Sequence, residues 1–215
     1  MSHSAQIERY RMVVEQLQAR GIRSERVLAA LGQIARERFV PAASRHHAYA
    51  DRALPIGFNQ TISQPFIVAL MTEALDLTGV EHILEVGTGS GYQAAILAEL
   101  GRDVVTIERH AGLAHTASQL LSSLGYRNIQ FVCGDGTRGW TAAAPFDRIL
   151  VTAGAATCPH SLWGQLADGG ILVMPIGARD AQVLQCTIKR GGQRDVSNLS
   201  GCRFVPLIGV EGWPN

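Results

Sequence analysis

A three-layer α/β fold, with a mostly parallel sheet held between two layers of helices, is predicted by two features of this 215-residue chain. Between residues 82 and 175, short apolar runs alternate with helical stretches, the rhythm of βαβ units in a parallel sheet covered on both faces. A glycine-rich turn, Gly87-Thr88-Gly89-Ser90-Gly91, joins the first of these runs to the next helix, the arrangement of Rossmann-like folds. Antiparallel edge strands are expected in the tail, and a helical cap in front of the sheet.

The cap begins with apolar residues at three- and four-residue spacing, Ile7, Tyr10, Val13, Val14 and Leu17, which predict an amphipathic helix ending at Gly21. Ser24 is suited to cap a second helix that carries Val27, Leu28, Leu31 and Ile34 on one face. Pro41 disfavours helix beyond Phe39. Residues 41–64 read as irregular, with Pro55, Gly57 and Asn59 as turn formers, and a third helix follows Pro65. Strands are expected at His82–Val86, Val104–Glu108, Ile129–Cys133, Phe146–Thr152 and Gly170–Pro175, with helices reaching Leu100, covering Leu113–Leu124 and lying around Ser161–Leu166. In the tail, Val183–Ile188 and Cys202–Ile208 are expected to pair across Gly191-Gly192. The expected division is a cap with a loop over residues 1–80 and a sheet core over 81–215, folded as one unit.

Composition excludes several classes. The chain is 47% hydrophobic and 17% charged, too apolar and too neutral for a disordered chain. Nineteen basic against eighteen acidic residues leave a net charge of +1, without the basic excess that nucleic acid or an anionic lipid surface attracts. Eighteen of the nineteen basic residues are Arg, Lys189 being the one Lys. Cys133, Cys158, Cys186 and Cys202 form no Cys-x-x-Cys pair, and three lie in apolar runs, so neither a disulfide framework nor a zinc site is expected. A polar N-terminus and the lack of an 18-residue apolar run predict a cytoplasmic protein without a membrane partner. Balanced charge fits a monomer.

The glycine turn carries the chemistry. Glycines let a ligand approach the backbone, and a helix N-terminus presents free N–H groups to an anion. Read from Gly89, the turn also fits Gly-x-Gly-x-x-Ala, so a dinucleotide such as NAD stays open; from Gly87, Tyr92 occupies the slot that a dinucleotide fold gives to Gly or Ala. Glu108, closing the second strand, can accept both hydroxyls of an adenosine ribose, whether in NAD or in S-adenosylmethionine. Asp135 falls on the same sheet edge, placed to meet an adenine amino group or to serve as a turn residue. Glu85, inside an apolar strand, is expected to face the cleft and polar partners, because an unpaired buried charge is costly. No His-Glu-x-x-His or similar spacing supports a metal, and Ser90 does not centre a Gly-x-Ser-x-Gly elbow. An oxidoreductase would want a proton-transfer pair such as Tyr-x-x-x-Lys, which Lys189 in the tail does not supply. The polar segment Gly57–Pro65 reads on composition as a helix N-terminus with Ser63 as its cap.

Thr61-Ile62-Ser63-Gln64-Pro65 resembles the signature loop of the protein-L-isoaspartate O-methyltransferases. Leu54-Pro55-Ile56-Gly57, Leu84 to Tyr92, Gly134-Asp135-Gly136, Phe146-Asp147, Gly169 to Val173, Pro175-Ile176-Gly177 and Arg203 to Leu207 resemble that family in the same order, over nearly the full chain. The resemblance implies a methyltransferase fold and transfer of a methyl group from S-adenosylmethionine to the free α-carboxylate of L-isoaspartyl, and by extension D-aspartyl, residues in damaged proteins. S-adenosylhomocysteine is the implied product, and no metal is implied. It further implies that Glu108 takes the ribose, Asp135 and Gly136 the adenine side, and Glu85 with Gly87, Thr88, Gly89, Ser90 and Gly91 the methionine end. Thr61 and Ser63 are the implied catalytic residues. Phe58-Asn59 departs from the smaller, glycine-containing pair that the family often has, and Gly209–Asn215 matches no part of the pattern. The competing expectations are a homologue that binds S-adenosylmethionine but methylates something else or only binds, and the NAD-linked oxidoreductase.

Overall fold

The computed structural model describes residues 3–214. Helix α1 (His3–Arg11) runs through a π-helical turn at Met12–Leu17 and a 3-10 turn at Gln18–Arg20 to Gly21, whose φ of 100° ends it as expected. Its buried face is only partly the expected one: Leu17 and, in part, Val13 pack inward as expected. Ile7, Tyr10 and Val14 are exposed, while Met12 and Leu17 are fully buried. The i→i+5 bonding of the π turn takes residues 12–17 off the 3.6-residue period on which that expectation depends, whereas Ile7 and Tyr10, ahead of the turn, simply face outward. Helix α2 (Glu25–Gln33) is capped by Ser24, whose hydroxyl accepts from the Val27 N–H at 3.4 Å.

Residues 41–64 are more ordered than their composition suggests. A 3-10 stretch at Ala42–His47 leads to an antiparallel hairpin of β1 (Leu54–Gly57) and β2 (Gln60–Ile62). The two-residue turn Phe58-Asn59 has positive φ at both positions, 52° and 56°, the geometry that matches strand twist in a tight hairpin. Asn tolerates it, whereas Phe rarely does, so the residue types conceal the turn. Helix α3 (Pro65–Ala74) then starts with Pro65 at its first position. Gln64, not Ser63, occupies the N-cap, and it makes no side-chain capping bond.

The sheet core follows the expected alternation: β3 (His82–Val86), α4 (Tyr92–Leu100), β4 (Asp103–Glu108), α5 (Ala111–Ser123), β5 (Ile129–Cys133), β6 (Phe146–Val151), α6 (His160–Gln165) and β7 (Leu166–Gly177). With β8 (Gln182–Arg190) and β9 (Gln193–Cys202) these strands form one sheet in the order β5-β4-β3-β6-β7-β8-β9. Pairing is parallel from β5 to β7 and antiparallel for β7–β8 and β8–β9. The tail hairpin turns at Gly191-Gly192, but its second strand is Gln193–Cys202 and not Cys202–Ile208. Residues 203–208 instead return across the carboxyl edge of the sheet, where the Gly154 N–H donates to Val205 O (2.8 Å) and the Leu207 N–H to Gly154 O (2.7 Å).

From β3 the chain builds outward through β4 and β5, then resumes on the other side with β6 and β7. The crevice of such a sheet opens at that switch point, beyond the carboxyl ends of β3 and β6. The cap is bonded to the sheet by a shared core in which Met12, Leu31 and Phe39 pack with Tyr92 and Ile96 of α4. Tyr92 meets the Phe39 ring edge-on at 5.4 Å, which explains a large residue in a slot that other nucleotide folds keep small. Among the described residues no helix is long and apolar enough to cross a membrane.

Candidate active site

The glycine turn sits where β3 delivers it, above the switch point. Gly87 adopts φ 99°, and a Cβ there would lie 2.2 Å from Thr152 Oγ1. That hydroxyl, just past β6, donates to Gly87 O at 2.8 Å and fixes the floor of the turn. Gly91 (φ 85°) is the N-cap of α4, and a Cβ on it would strike Leu121 of α5 at 2.9 Å. Both glycines are therefore demanded by close packing as well as by backbone conformation.

Glu108 ends β4 beside this turn, only 5% exposed. Its Oε2 accepts from the Gly89 N–H and its Oε1 from the His110 N–H, each at 2.9 Å. Each carboxylate oxygen has two lone pairs, so one on each remains for a vicinal pair of ligand hydroxyls. The geometry thus suits the ribose of a nucleoside, as the strand-end position predicts.

Glu85 does not face the cleft. It is fully buried beneath the turn, where Oε2 accepts from the Thr106 hydroxyl, itself 2.6 Å from the Thr88 hydroxyl, while Oε1 has no partner among the described residues. Burial, with repulsion from Glu108, pushes its carboxyl up to about 8 against the opposing Thr106 hydrogen bond. Thr106 and Thr88 link it by hydrogen bonds to the glycine turn.

Asp135 is also turned from the cleft. Its Oδ1 accepts from the Thr137 N–H (2.9 Å) and hydroxyl (2.7 Å), and its Oδ2 from the Val210 N–H (2.8 Å). The segment Gly209–Pro214, for which no sequence pattern offered a role, is a strap over the carboxyl edge. The Glu211 N–H donates to the Thr137 hydroxyl (3.2 Å), the Glu211 carboxylate accepts from the Ser161 N–H (2.9 Å), the Trp213 indole donates to Gly154 O (3.1 Å), and Arg179 donates to Pro214 O (3.0 Å). Leu207 and Ile208, immediately before it, form one wall of the cleft.

Thr61, the middle residue of β2, and Ser63, at the junction with α3, line the same cleft. Ser63 is half-buried and Thr61 exposed, and neither hydroxyl is engaged by another described residue. The cleft encloses about 890 Å³ of empty space, the open solvent at its mouth included. Thr61, Ser63, Gly87, Thr88, Gly89, Ser90, Glu108 and Gly136 line it; Glu85, Gly91 and Asp135 lie behind it. Thr106, Thr152 and the strap were hidden from sequence reasoning, since each acts through a tertiary contact. Among the described residues no group of three or more His, Cys, Asp or Glu is placed to hold a metal ion.

Sheet order, glycine turn and acidic strand end define a Rossmann-like protein with a nucleoside cleft at its switch point. The family model described as protein-L-isoaspartate(D-aspartate) O-methyltransferase matches residues 8–212. A protein-L-isoaspartate O-methyltransferase of Dictyoglomus turgidum is 53% identical over 201 residues, covering 94% of this chain and 91% of its own. That of Syntrophus aciditrophicus is 52% identical over 211 residues, covering 97% of each. A solved protein-L-isoaspartate O-methyltransferase superposes with a TM-score of 0.86 at 29% identity, over 95% of this chain and 67% of that one. A Plasmodium falciparum structure, a beta-aspartate methyltransferase in complex with S-adenosyl-L-homocysteine, shares the fold with a TM-score of 0.78 at 24% identity, over 91% of this chain and 96% of that one. The chain belongs to the protein-L-isoaspartate O-methyltransferase family, which displaces the oxidoreductase reading.

Proposed function

We propose that this protein methylates the free α-carboxylate of L-isoaspartyl residues in damaged proteins, using S-adenosylmethionine. The observation that carries the reading is the meeting, in one cleft, of the uncommitted Thr61 and Ser63 hydroxyls with Glu108 and the glycine turn. S-adenosylmethionine supplies a methyl group already activated by its sulfonium. A carboxylate with a pKa of ~4 is ionised at neutral pH, so the chain needs no general base. Its task is alignment, which can supply up to ~7–11 kcal/mol of barrier reduction. Glu108 holds the ribose, the turn from Gly87 to Gly91 holds the methionine end with Glu85 supporting it from below, and Gly136 borders the adenine side, with Asp135 fixing the turn that carries it. Ser63 orients the acceptor carboxylate by hydrogen bonding, assisted by Thr61. The lack of a basic excess supports action on proteins and not on nucleic acid or membranes, and the reading is completed by a cytoplasmic monomer.

The test uses methyl-labelled S-adenosylmethionine and peptides identical except for an isoaspartyl, D-aspartyl or normal aspartyl residue. Base-labile methyl ester on the isoaspartyl peptide, absent from the normal one, is the expected result. Cofactor binding with no ester on any peptide would move the protein to a different acceptor.

A further inference from the structure

Arg36, on the 3-10 turn after α2, is fully buried. Its Nη2 donates to the backbone carbonyl of Ser63 at 2.6 Å and its Nε to that of Ala48 at 2.8 Å. The guanidinium lies 4.8 Å from the centre of the Tyr92 ring. None of the ion pairs among the described residues includes it, and Nη1 has no hydrogen-bond partner there, nor has the Tyr92 hydroxyl.

A buried cation without an ion pair is an expensive way to fill a core, and an apolar side chain of similar volume usually serves stability as well or better. What the guanidinium provides is direction. Ser63 stands between the last residue of β2 and the N-cap of α3, so no ladder or helix bond restrains its carbonyl. Tyr92 is the first residue of α4, directly after Gly91. One rigid fork therefore spans from the acceptor loop to the helix opened by the glycine turn.

We propose that Arg36 is a positioning residue for methyl transfer, fixing Ser63 relative to the glycine turn so that the Ser63 hydroxyl and the methyl donor keep one spacing. Arg36 touches neither reactant and acts only through Ser63 and Tyr92. The inference rests on the reading that Ser63 orients the acceptor.

The experiment compares wild type, Arg36→Met, Arg36→Lys and Ser63→Ala for urea unfolding, S-adenosylhomocysteine affinity by calorimetry, and turnover on an isoaspartyl peptide. Folded Arg36→Met is expected to bind S-adenosylhomocysteine within threefold of wild type while kcat falls at least tenfold. Arg36→Lys, which keeps a charge but loses the fork, is expected to recover part of that loss. A purely structural residue would not separate turnover from cofactor affinity in this way. Wild-type turnover in Ser63→Ala would overturn the underlying reading and this inference with it. Impaired Ser63→Ala beside Arg36→Met at wild-type turnover would overturn this inference alone. If neither Arg36 variant folds, or if both lose turnover and cofactor affinity in step, Arg36 is a structural residue and the inference fails.

Discussion

The Glu108 carboxylate accepts the Gly89 N–H at 2.9 Å, tying the end of β4 to the middle of the glycine turn. One side chain thus shapes the turn and, in the proposed function, presents its remaining lone pairs to the ribose. Glu108→Ala is expected to weaken S-adenosylhomocysteine binding tenfold to a hundredfold, about 1.4–3 kcal/mol, through loss of charge-assisted hydrogen bonds. Titration calorimetry measures this directly, and unchanged affinity would place the ribose elsewhere.

Glu85 sets a pH dependence of stability. Its folded-state carboxyl is raised to about 8 from an ordinary 4.5. Between those values the native protein keeps a proton that the unfolded chain has released, so native stability falls as pH rises, by at most about 1.4 kcal/mol per pH unit. Glu85→Gln removes the titration and keeps the shape. Urea unfolding is expected to show the variant gaining on wild type steadily from pH 5 to pH 8. Parallel curves would show Glu85 already ionised in the folded protein.

Phe58 holds φ 52° at the hairpin tip, 58% exposed, with its ring 5.4 Å from that of His110 at the lip of the cleft. A left-handed conformation costs a non-glycine residue roughly 1–2 kcal/mol, and so exposed a ring recovers little by burial. Phe58→Gly is expected to leave global stability unchanged or up to about 1 kcal/mol higher, yet to release S-adenosylhomocysteine several times faster in stopped-flow displacement. Slower release, or a marked loss of stability, would contradict this view of the tip.

Asp135 anchors the strap. Although burial works against ionisation, the Thr137 hydroxyl and the Val210 and Thr137 N–H groups hold its carboxyl below the usual range. Its stabilising contribution is present above the ordinary carboxylate pKa and is lost as pH falls through the lowered value. Asp135→Ala is expected to cost about 1–3 kcal/mol at neutral pH and to speed amide hydrogen exchange at Val210 and Trp213. Exchange unchanged there would mean that the Trp213 and Arg179 contacts suffice.

The sequence rhythm disclosed β3 to β7 because parallel strands inside a sheet covered on both faces are apolar runs and mostly alternate with helices; the edge strand β5 is less buried but keeps the apolar run Phe131-Val132. The hairpin of β1 and β2 stayed hidden, since Phe58 is the wrong residue for its turn and the strands are only three or four residues long. Val205 to Ile208 imitate a strand because they are apolar, yet they line the cleft, with Leu207 buried, and do not pair in the sheet ladder. Glu108 and Ser63 were legible through strand-end position and motif. Arg36, Thr106 and Thr152 were not, because what each does is decided by a partner 27, 21 or 65 positions away.

The strap fastens the loop after β5, the loop after β6, the start of α6 and the turn before β8, and it follows all of them in the chain. Four connections that lie far apart in the chain thus share one clamp, and the carboxyl edge is braced as a unit and not loop by loop.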